Sequence, residues 1–177
     1  MKLDPIFIEL DIRYAGSNNF LGKPVPGGAG VPAAAGGGGA GGRAPRAAAD
    51  GYGLLIHDGY RPWAITKLFW DMTSGFQREF VADPKSGSKH NRGRAVDLTM
   101  ADLALNGGGD ARRLRRDDTA LLSRLHRRPT EARAKRDLLR RVMERHGFTV
   151  EPNEWWHFNY RDWEQYPILD IPFSAIR

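Results

Sequence analysis

Four residues in two short strings of this sequence have types that together could hold and use a metal ion. His90 and Asp97 are seven positions apart, and Glu154 and His157 are three apart. Two imidazoles and one carboxylate form a ligand set that leaves zinc an open fourth position for water. Bound zinc lowers the pKa of that water to about 7 and polarises a carbonyl oxygen. Glu154 is then available to take the proton of the water.

The absence of cysteine limits what any metal site in this chain can use. The sequence contains no Cys, so thiolate ligands, a cysteine nucleophile and disulfides are excluded. His57, His126 and His146 have no partners in comparable strings, and we interpret them as structural or surface residues. Spacing alone is a modest signal, because a His–Asp pair of this separation also arises by chance.

Arg61 is a further candidate, because it follows a predicted strand and precedes a predicted helix. A guanidinium at such a point could stabilise the oxyanion that forms when water attacks a carbonyl carbon. Removal of a donor of this kind typically costs on the order of 10²–10³ in rate. The alternative is an arginine that only forms a salt bridge at the end of the strand.

Hydrophobic periodicity predicts the elements that must position these residues. Alternation predicts strands over 6–13 and 94–100, with Asp97 opposite the apolar face, and short apolar runs predict strands at 54–58, 148–150 and 156–160. A one-faced helix is predicted after Pro62, which suits the first helical position. A second helix is predicted from an N-cap at Thr130 to a stop at Gly147.

The order of these elements predicts an α+β fold with a mostly antiparallel sheet and flanking helices. The length of 177 residues fits one domain, so residues 1–177 are expected to form a single domain. Within it, residues 24–51 are a low-complexity Gly/Ala segment, which we expect to be a flexible loop because its glycines have no side chains to bury.

Charge and hydropathy narrow the choice of partners. Residues 112–145 carry 13 Lys/Arg against 5 Asp/Glu, whereas the rest of the chain carries 14 against 16. The basicity therefore belongs to one segment, which argues against nucleic acid as the main partner. Nothing approaches the roughly 18 apolar residues of a membrane span, and the N-terminus lacks an apolar signal region. We expect a cytoplasmic protein that does not bind a membrane.

Two motifs carry a resemblance to a known superfamily. The string from Ser88 to Asp97, SKHNRGRAVD, resembles the SxHxxGxAxD signature of zinc peptidases that include D-alanyl-D-alanine carboxypeptidases and dipeptidases, and EWWH at 154–157 resembles their second motif. The resemblance implies one zinc ion per chain, held by His90, Asp97 and His157. It further implies that Glu154 is the catalytic base and that Ser88 can bind substrate.

Two more strings are similar to the D-alanyl-D-alanine dipeptidases of the vancomycin-resistance type. Residues 11–14 with 18–20 resemble the start of those enzymes, and DGYRP at 58–62 resembles the segment that carries their active-site arginine, here Arg61. All the motifs occur in the family's order. The resemblance covers about residues 9–25, 52–100 and 137–163.

The dipeptidase resemblance implies a small zwitterionic substrate in a charge-lined cavity. Its ammonium needs acidic partners and its carboxylate needs hydrogen-bond donors. Tyr14, Asn19 and Phe20 are expected to form one wall of that cavity.

The sequence departs from the family at two segments, and these leave other functions open. The Gly/Ala stretch replaces a helix, and the Arg-rich residues 102–128 replace a segment that contains Asp and Phe. One alternative is a related carboxypeptidase or peptidoglycan endopeptidase. Another is a catalytically impaired homologue whose Arg-rich segment binds an acidic partner. The sequence does not indicate an oligomeric state.

Overall fold

The structure is a computed structural model, and it describes residues 8–17, 19, 22–25, 52–102 and 130–176. The predicted Gly/Ala loop lies outside the described residues from position 26 onward. All of the Arg-rich residues 102–128 except Asp102 also lie outside them, and so does Phe20.

The described strands form one five-stranded sheet. They are β1 (Ile8–Leu10), β2 (Tyr52–Asp58), β3 (Ala95–Asp102), β4 (Phe148–Glu151) and β5 (Glu154–Tyr160). The sheet order is β1-β2-β3-β5-β4. β1 pairs with β2 in parallel, and the other three pairings are antiparallel. The predicted α+β class with a mostly antiparallel sheet is therefore confirmed.

Two α-helices accompany the sheet in the described part of the chain, α1 (Trp63–Met72) and α2 (Thr130–Arg145). Pro62 lies one position before the first helical residue and is the N-cap of α1, not its first residue as the sequence predicted. α2 ends before Gly147, which has a φ of +85°. Glycine adopts this left-handed conformation without steric cost, and it ends the helix as predicted.

The sheet buries one face against α2. Phe158 has no exposed surface, and it packs with Leu98 of β3 and with Leu139 and Met143 of α2. A second cluster of buried side chains surrounds α1 and includes Tyr14, Ile65 and Phe69. Because side chains alternate along a strand, burial of Leu98 against α2 directs its neighbour Asp97 to the other face of the sheet.

Strand register brings candidate residues of three strands into one row. Asp97 of β3 lies opposite His157 of β5, and across the other edge of β3 it lies opposite Asp58 of β2. The β2–β3 pairing is irregular between Ile56 and Asp58, where His57 is left out of the register. Directly opposite residues in an antiparallel pair have Cβ atoms about 4.5–5.5 Å apart, so the sheet itself positions this row.

Candidate active site

The side chains of His90, Asp97 and His157 converge on one point. One ligand atom from each lies within 4.8 Å of the others. His157 Nδ1 is 2.9 Å from Asp97 Oδ1, His90 Nε2 is 3.4 Å from the same oxygen, and the two nitrogens are 3.2 Å apart. His90 is 2% exposed and His157 is 8% exposed. The structure thus brings together the three residues that the sequence selected as metal ligands.

A short 3₁₀ turn, Lys89–Arg92, presents His90 to this point. The Ser88 hydroxyl accepts a hydrogen bond from the His90 backbone N–H at 3.2 Å, and Gly93 ends the turn with a φ of +63°. His90 Nδ1 lies 2.7 Å from the carbonyl oxygen of Gly59. Because a carbonyl can only accept, Nδ1 carries the hydrogen and Nε2 keeps a lone pair for the site.

His157 is oriented by a side chain two residues along the same strand. Its Nε2 lies 2.8 Å from Asn159 Oδ1, so Nε2 donates and Nδ1 faces Asp97 and His90. Residues i and i+2 of a strand share a face. This periodicity is the only sequence signal that could have found Asn159, which we did not predict.

The charges of the site reinforce one another. Burial by itself would raise the pKa of Asp97, but the two neighbouring imidazoles outweigh it and hold that pKa well below its ordinary value. Burial works to lower the pKa of His157, but the Asp97 carboxylate beside it raises that pKa overall. A partly buried carboxylate between two imidazoles forms a compact anionic ligand set that favours a divalent cation.

Glu154 lies at the edge of this cluster and not inside it. Its Oε2 is 3.5 Å from His157 Nδ1, and 29% of its side chain is exposed. Burial raises the pKa of Glu154 above its ordinary 4.5, against the opposing effect of the His157 charge. A raised pKa brings a carboxylate closer to the range in which it exchanges protons efficiently near neutral pH.

Arg61 contacts both the sheet and the turn that carries His90. Its guanidinium is 2.8 Å from Asp58 Oδ2, and its backbone N–H donates to the His90 carbonyl oxygen at 3.2 Å. The salt bridge that we considered as an alternative is therefore present. Arg61 Nε is buried without a hydrogen-bond partner among the described residues. The role of Arg61 with an oxyanion stays a prediction.

Tyr14 is buried among aromatic rings, beside the charged side chains of Asp58 and Arg61. Its ring is stacked on that of Phe173, with the ring centroids 6.2 Å apart, and it meets the Phe69 ring edge-on, with the centroids 6.1 Å apart. Burial, followed by the negative charge of Asp58, raises the pKa of Tyr14 far above its ordinary value. Tyr14 is therefore a neutral phenol at physiological pH.

Two further residues that were predicted to bind substrate make contacts with the protein's own backbone. The Asn19 amide donates to the carbonyl oxygens of Gly16 at 2.7 Å and Lys23 at 2.9 Å, so it organises its own loop. Ser88 uses its hydroxyl on the backbone of the His90 turn. Their contact with substrate stays a prediction, and Phe20 lies outside the described residues.

Comparison with known proteins places this site in a family. The sequence pattern of the D-ala-D-ala dipeptidase family matches residues 5–174. The chain belongs to the D-ala-D-ala dipeptidase family. The predicted family and the predicted enzyme class are thereby confirmed, and the protein is a peptidase.

Curated relatives agree with this family. A D-alanyl-D-alanine dipeptidase of Streptomyces coelicolor is 33% identical over 94% of this chain and 93% of its own length. One of Enterococcus faecium is 34% identical over 93% of this chain and 92% of its own. One of Escherichia coli is 32% identical over 71% of this chain, but the match spans only 64% of that relative.

The residues at the site fit a divalent metal ion such as zinc. His90, Asp97 and His157 supply two imidazole nitrogens and one carboxylate oxygen, as many catalytic zinc sites do. Each imidazole already donates its outer N–H to an oxygen, which is the usual arrangement around metal-binding histidines. Among the described residues, no helix combines the length and the apolar character that crossing a membrane requires.

Proposed function

We propose that this protein is a zinc-dependent dipeptidase that hydrolyses D-alanyl-D-alanine with a metal-activated water. The observation that supports it most is the convergence of His90, Asp97 and His157 within 4.8 Å in a chain of this family. The names of the relatives support the dipeptide as substrate. We propose further that one zinc ion binds per chain and that residues 1–177 form one catalytic domain. The cytoplasmic location stays a prediction.

When bound, zinc polarises the scissile carbonyl and makes a water molecule acidic enough to lose a proton near neutral pH. Glu154 takes that proton onto Oε2, for which its position 3.5 Å from His157 Nδ1 at the edge of the cluster is suitable. Glu154 then passes the proton to the amine nitrogen as the peptide bond breaks. The raised pKa of Glu154 favours the first step, because a stronger base takes the proton of the water more readily, and the carboxylic acid that results is still acidic enough to protonate the amine.

Arg61 supplies the positive charge that the proposed mechanism needs beside the carbonyl oxygen. Its salt bridge to Asp58 holds the guanidinium at 12% side-chain exposure, where a charge acts through little water. Tyr14, a neutral phenol whose hydroxyl hydrogen-bonds the Asp58 carboxylate, forms part of the proposed wall of the substrate cavity. Ser88, Asn19 and Phe20 complete the proposed substrate contacts.

The substrate is tested by comparing the free dipeptide with a longer peptide that ends in D-alanyl-D-alanine. With zinc-loaded protein, we expect release of D-alanine from the dipeptide and little cleavage of the longer peptide. Removal of metal with a chelator should abolish turnover, and added zinc should restore it. Cleavage of the longer peptide alone would make the protein a carboxypeptidase. Turnover that survives complete metal removal would contradict the zinc mechanism.

A further inference from the structure

A row of four side chains runs outward from the proposed metal ligand His157. Its Nε2 donates to Asn159 Oδ1 at 2.8 Å, and Asn159 Nδ2 donates to Glu151 Oε2 at 2.9 Å. Lys89 Nζ donates to the same Glu151 oxygen at 2.6 Å. The row therefore joins β5, the last residue of β4 and the turn that carries His90.

The donors and acceptors of this row can be arranged in only one direction. A carboxylate only accepts hydrogen bonds, so Glu151 must receive the NH₂ group of Asn159 and not its oxygen. The Asn159 oxygen then points to His157, and the imidazole must hold its hydrogen on Nε2. This leaves the lone pair of His157 Nδ1, 2.9 Å from Asp97, on the side where the ligand atoms converge.

Burial makes the hydrogen bonds of this row difficult for water to replace. Asn159 is 7% exposed and His157 is 8% exposed, so water has little access to replace a lost hydrogen bond. Glu151 and Lys89 lie nearer the solvent, with side chains 33% and 27% exposed. Their ion pair anchors the row at its outer end, and Lys89 directly precedes His90 in the chain. By contrast, the outer nitrogen of His90 is held by the backbone carbonyl of Gly59, which no substitution removes.

We propose that Asn159 and Glu151 are positioning residues that fix the tautomer and ring orientation of His157, and that they thereby set the affinity of the site for zinc. This inference rests on the zinc role proposed above. Partners in such outer positions typically contribute about 10–100-fold to metal affinity. Neither residue belongs to the two motifs that carry the ligands.

The first test measures the zinc affinity of purified full-length protein by competition with a chelating dye. We expect Asn159→Ala to weaken zinc binding by about 10–100-fold. Thr149→Ala is the matched control, because Thr149 is the exposed residue opposite Asn159 in the β4–β5 register. Lys89→Met should weaken binding by a smaller factor. Lys67→Met, which breaks the exposed ion pair with Asp71, should leave binding unchanged.

The second test reverses the polarity of the row. Asn159→Asp alone places a second carboxylate against Glu151 and should weaken zinc binding. Combining Asn159→Asp with Glu151→Gln gives the new amide an NH₂ group to donate to the new carboxylate, which still accepts from His157 Nε2. We expect the double variant to recover most of the lost affinity. A purely structural role would not be rescued by this exchange of polarity.

The outcomes separate the two proposals. If the wild-type protein binds no zinc, the proposed function fails and this inference fails with it. If the wild type binds zinc and Asn159→Ala binds it equally tightly, only this inference is overturned. If Asn159→Ala does not fold, as judged by thermal unfolding of the metal-free protein, the polarity exchange decides: equal affinity of the single and double variants overturns the proposal.

Discussion

Each histidine of the site uses one ring nitrogen for the protein and leaves the other for the ligand cluster. The spacing and the motifs predicted His90, Asp97 and His157 as one group, and the structure places their ligand atoms within 4.8 Å. The sequence did not predict the groups that orient them. The Gly59 carbonyl belongs to the backbone, so no residue type indicates it, and Asn159 lies outside the motifs.

The raised pKa of Glu154 makes a prediction at the scale of a single residue. As pH rises, the unfolded chain loses the Glu154 carboxyl proton near the ordinary pKa of 4.5. The folded metal-free protein loses it only at a higher pH. The free energy of unfolding must therefore fall as pH rises through the raised pKa. Glu154→Gln removes this penalty, so the metal-free variant should be more stable than the wild type at neutral pH. The difference should vanish below about pH 4.

Urea unfolding of the metal-free proteins across this pH range measures the effect. Glu79→Gln, at an exposed position, is the control and should change stability by less than about 0.5 kcal/mol throughout. A stabilisation by Glu154→Gln that grows toward acid pH would show that Glu154 is not a carboxyl whose pKa is raised by burial.

At the scale of elements, Asn91 connects the His90 turn to the segment that carries Arg61. The Asn91 side chain has no exposed surface. Its Nδ2 donates to the Arg61 carbonyl oxygen at 2.8 Å and to the Thr66 hydroxyl at 2.9 Å. Its Oδ1 accepts from the Ser88 backbone N–H at 2.7 Å. One side chain therefore sets the distance between the proposed metal turn and the start of α1.

We expect Asn91→Ala to lower the free energy of unfolding by about 2–4 kcal/mol, because it leaves buried polar groups on three segments without partners. Asn153→Ala, at an exposed turn, should cost less than about 0.5 kcal/mol. Urea unfolding of both variants beside the wild type checks this. Similar, small losses in the two variants would contradict the connecting role.

The pattern of hydrophobic residues predicted the kinds of elements better than their bounds. The predicted strand 6–13 is shorter in the structure, Ile8–Leu10, and is followed by a 3₁₀ turn at Arg13–Ala15. Alternation of side chains cannot show where hydrogen bonding to a neighbouring strand ends. The predicted strands at 54–58 and 156–160 are longer than expected, Tyr52–Asp58 and Glu154–Tyr160, because pairing with β3 or β4 extends them.

At the scale of the whole molecule, residues 169–171 near the C-terminus connect the His90 turn with the residues that lead into α1. Leu169 donates its N–H to the Asn91 carbonyl oxygen at 2.9 Å, and the Tyr60 hydroxyl both donates to and accepts from the backbone of Ile171. Asp170 Oδ1 accepts from the Ala64 N–H at 2.8 Å, in the first turn of α1. No sequence pattern predicted this packing, since the segment has no regular period and its partners are more than 75 residues away.

Pro62, the N-cap residue of α1, makes no side-chain hydrogen bond to the helix. Asp170, which is distant in sequence, supplies the capping hydrogen bond instead. Asp170→Ala should lower the free energy of unfolding by about 1 kcal/mol, as the loss of an N-cap does. Glu164→Ala, which removes an exposed acid from the same segment, should have little effect. Thermal or urea unfolding measures both, and equal losses would show that Asp170 acts only through its charge or not at all.

The claim that His90, Asp97 and His157 bind zinc for a reaction in which Glu154 is the base is tested most directly by one paired measurement. Zinc content and turnover of D-alanyl-D-alanine are measured on the wild type and on Glu154→Ala. We expect one zinc per chain in both proteins and a loss of turnover on the order of 10²–10⁴-fold in the variant. A wild type without zinc, or a variant that turns over the dipeptide as fast as the wild type, would contradict this mechanism.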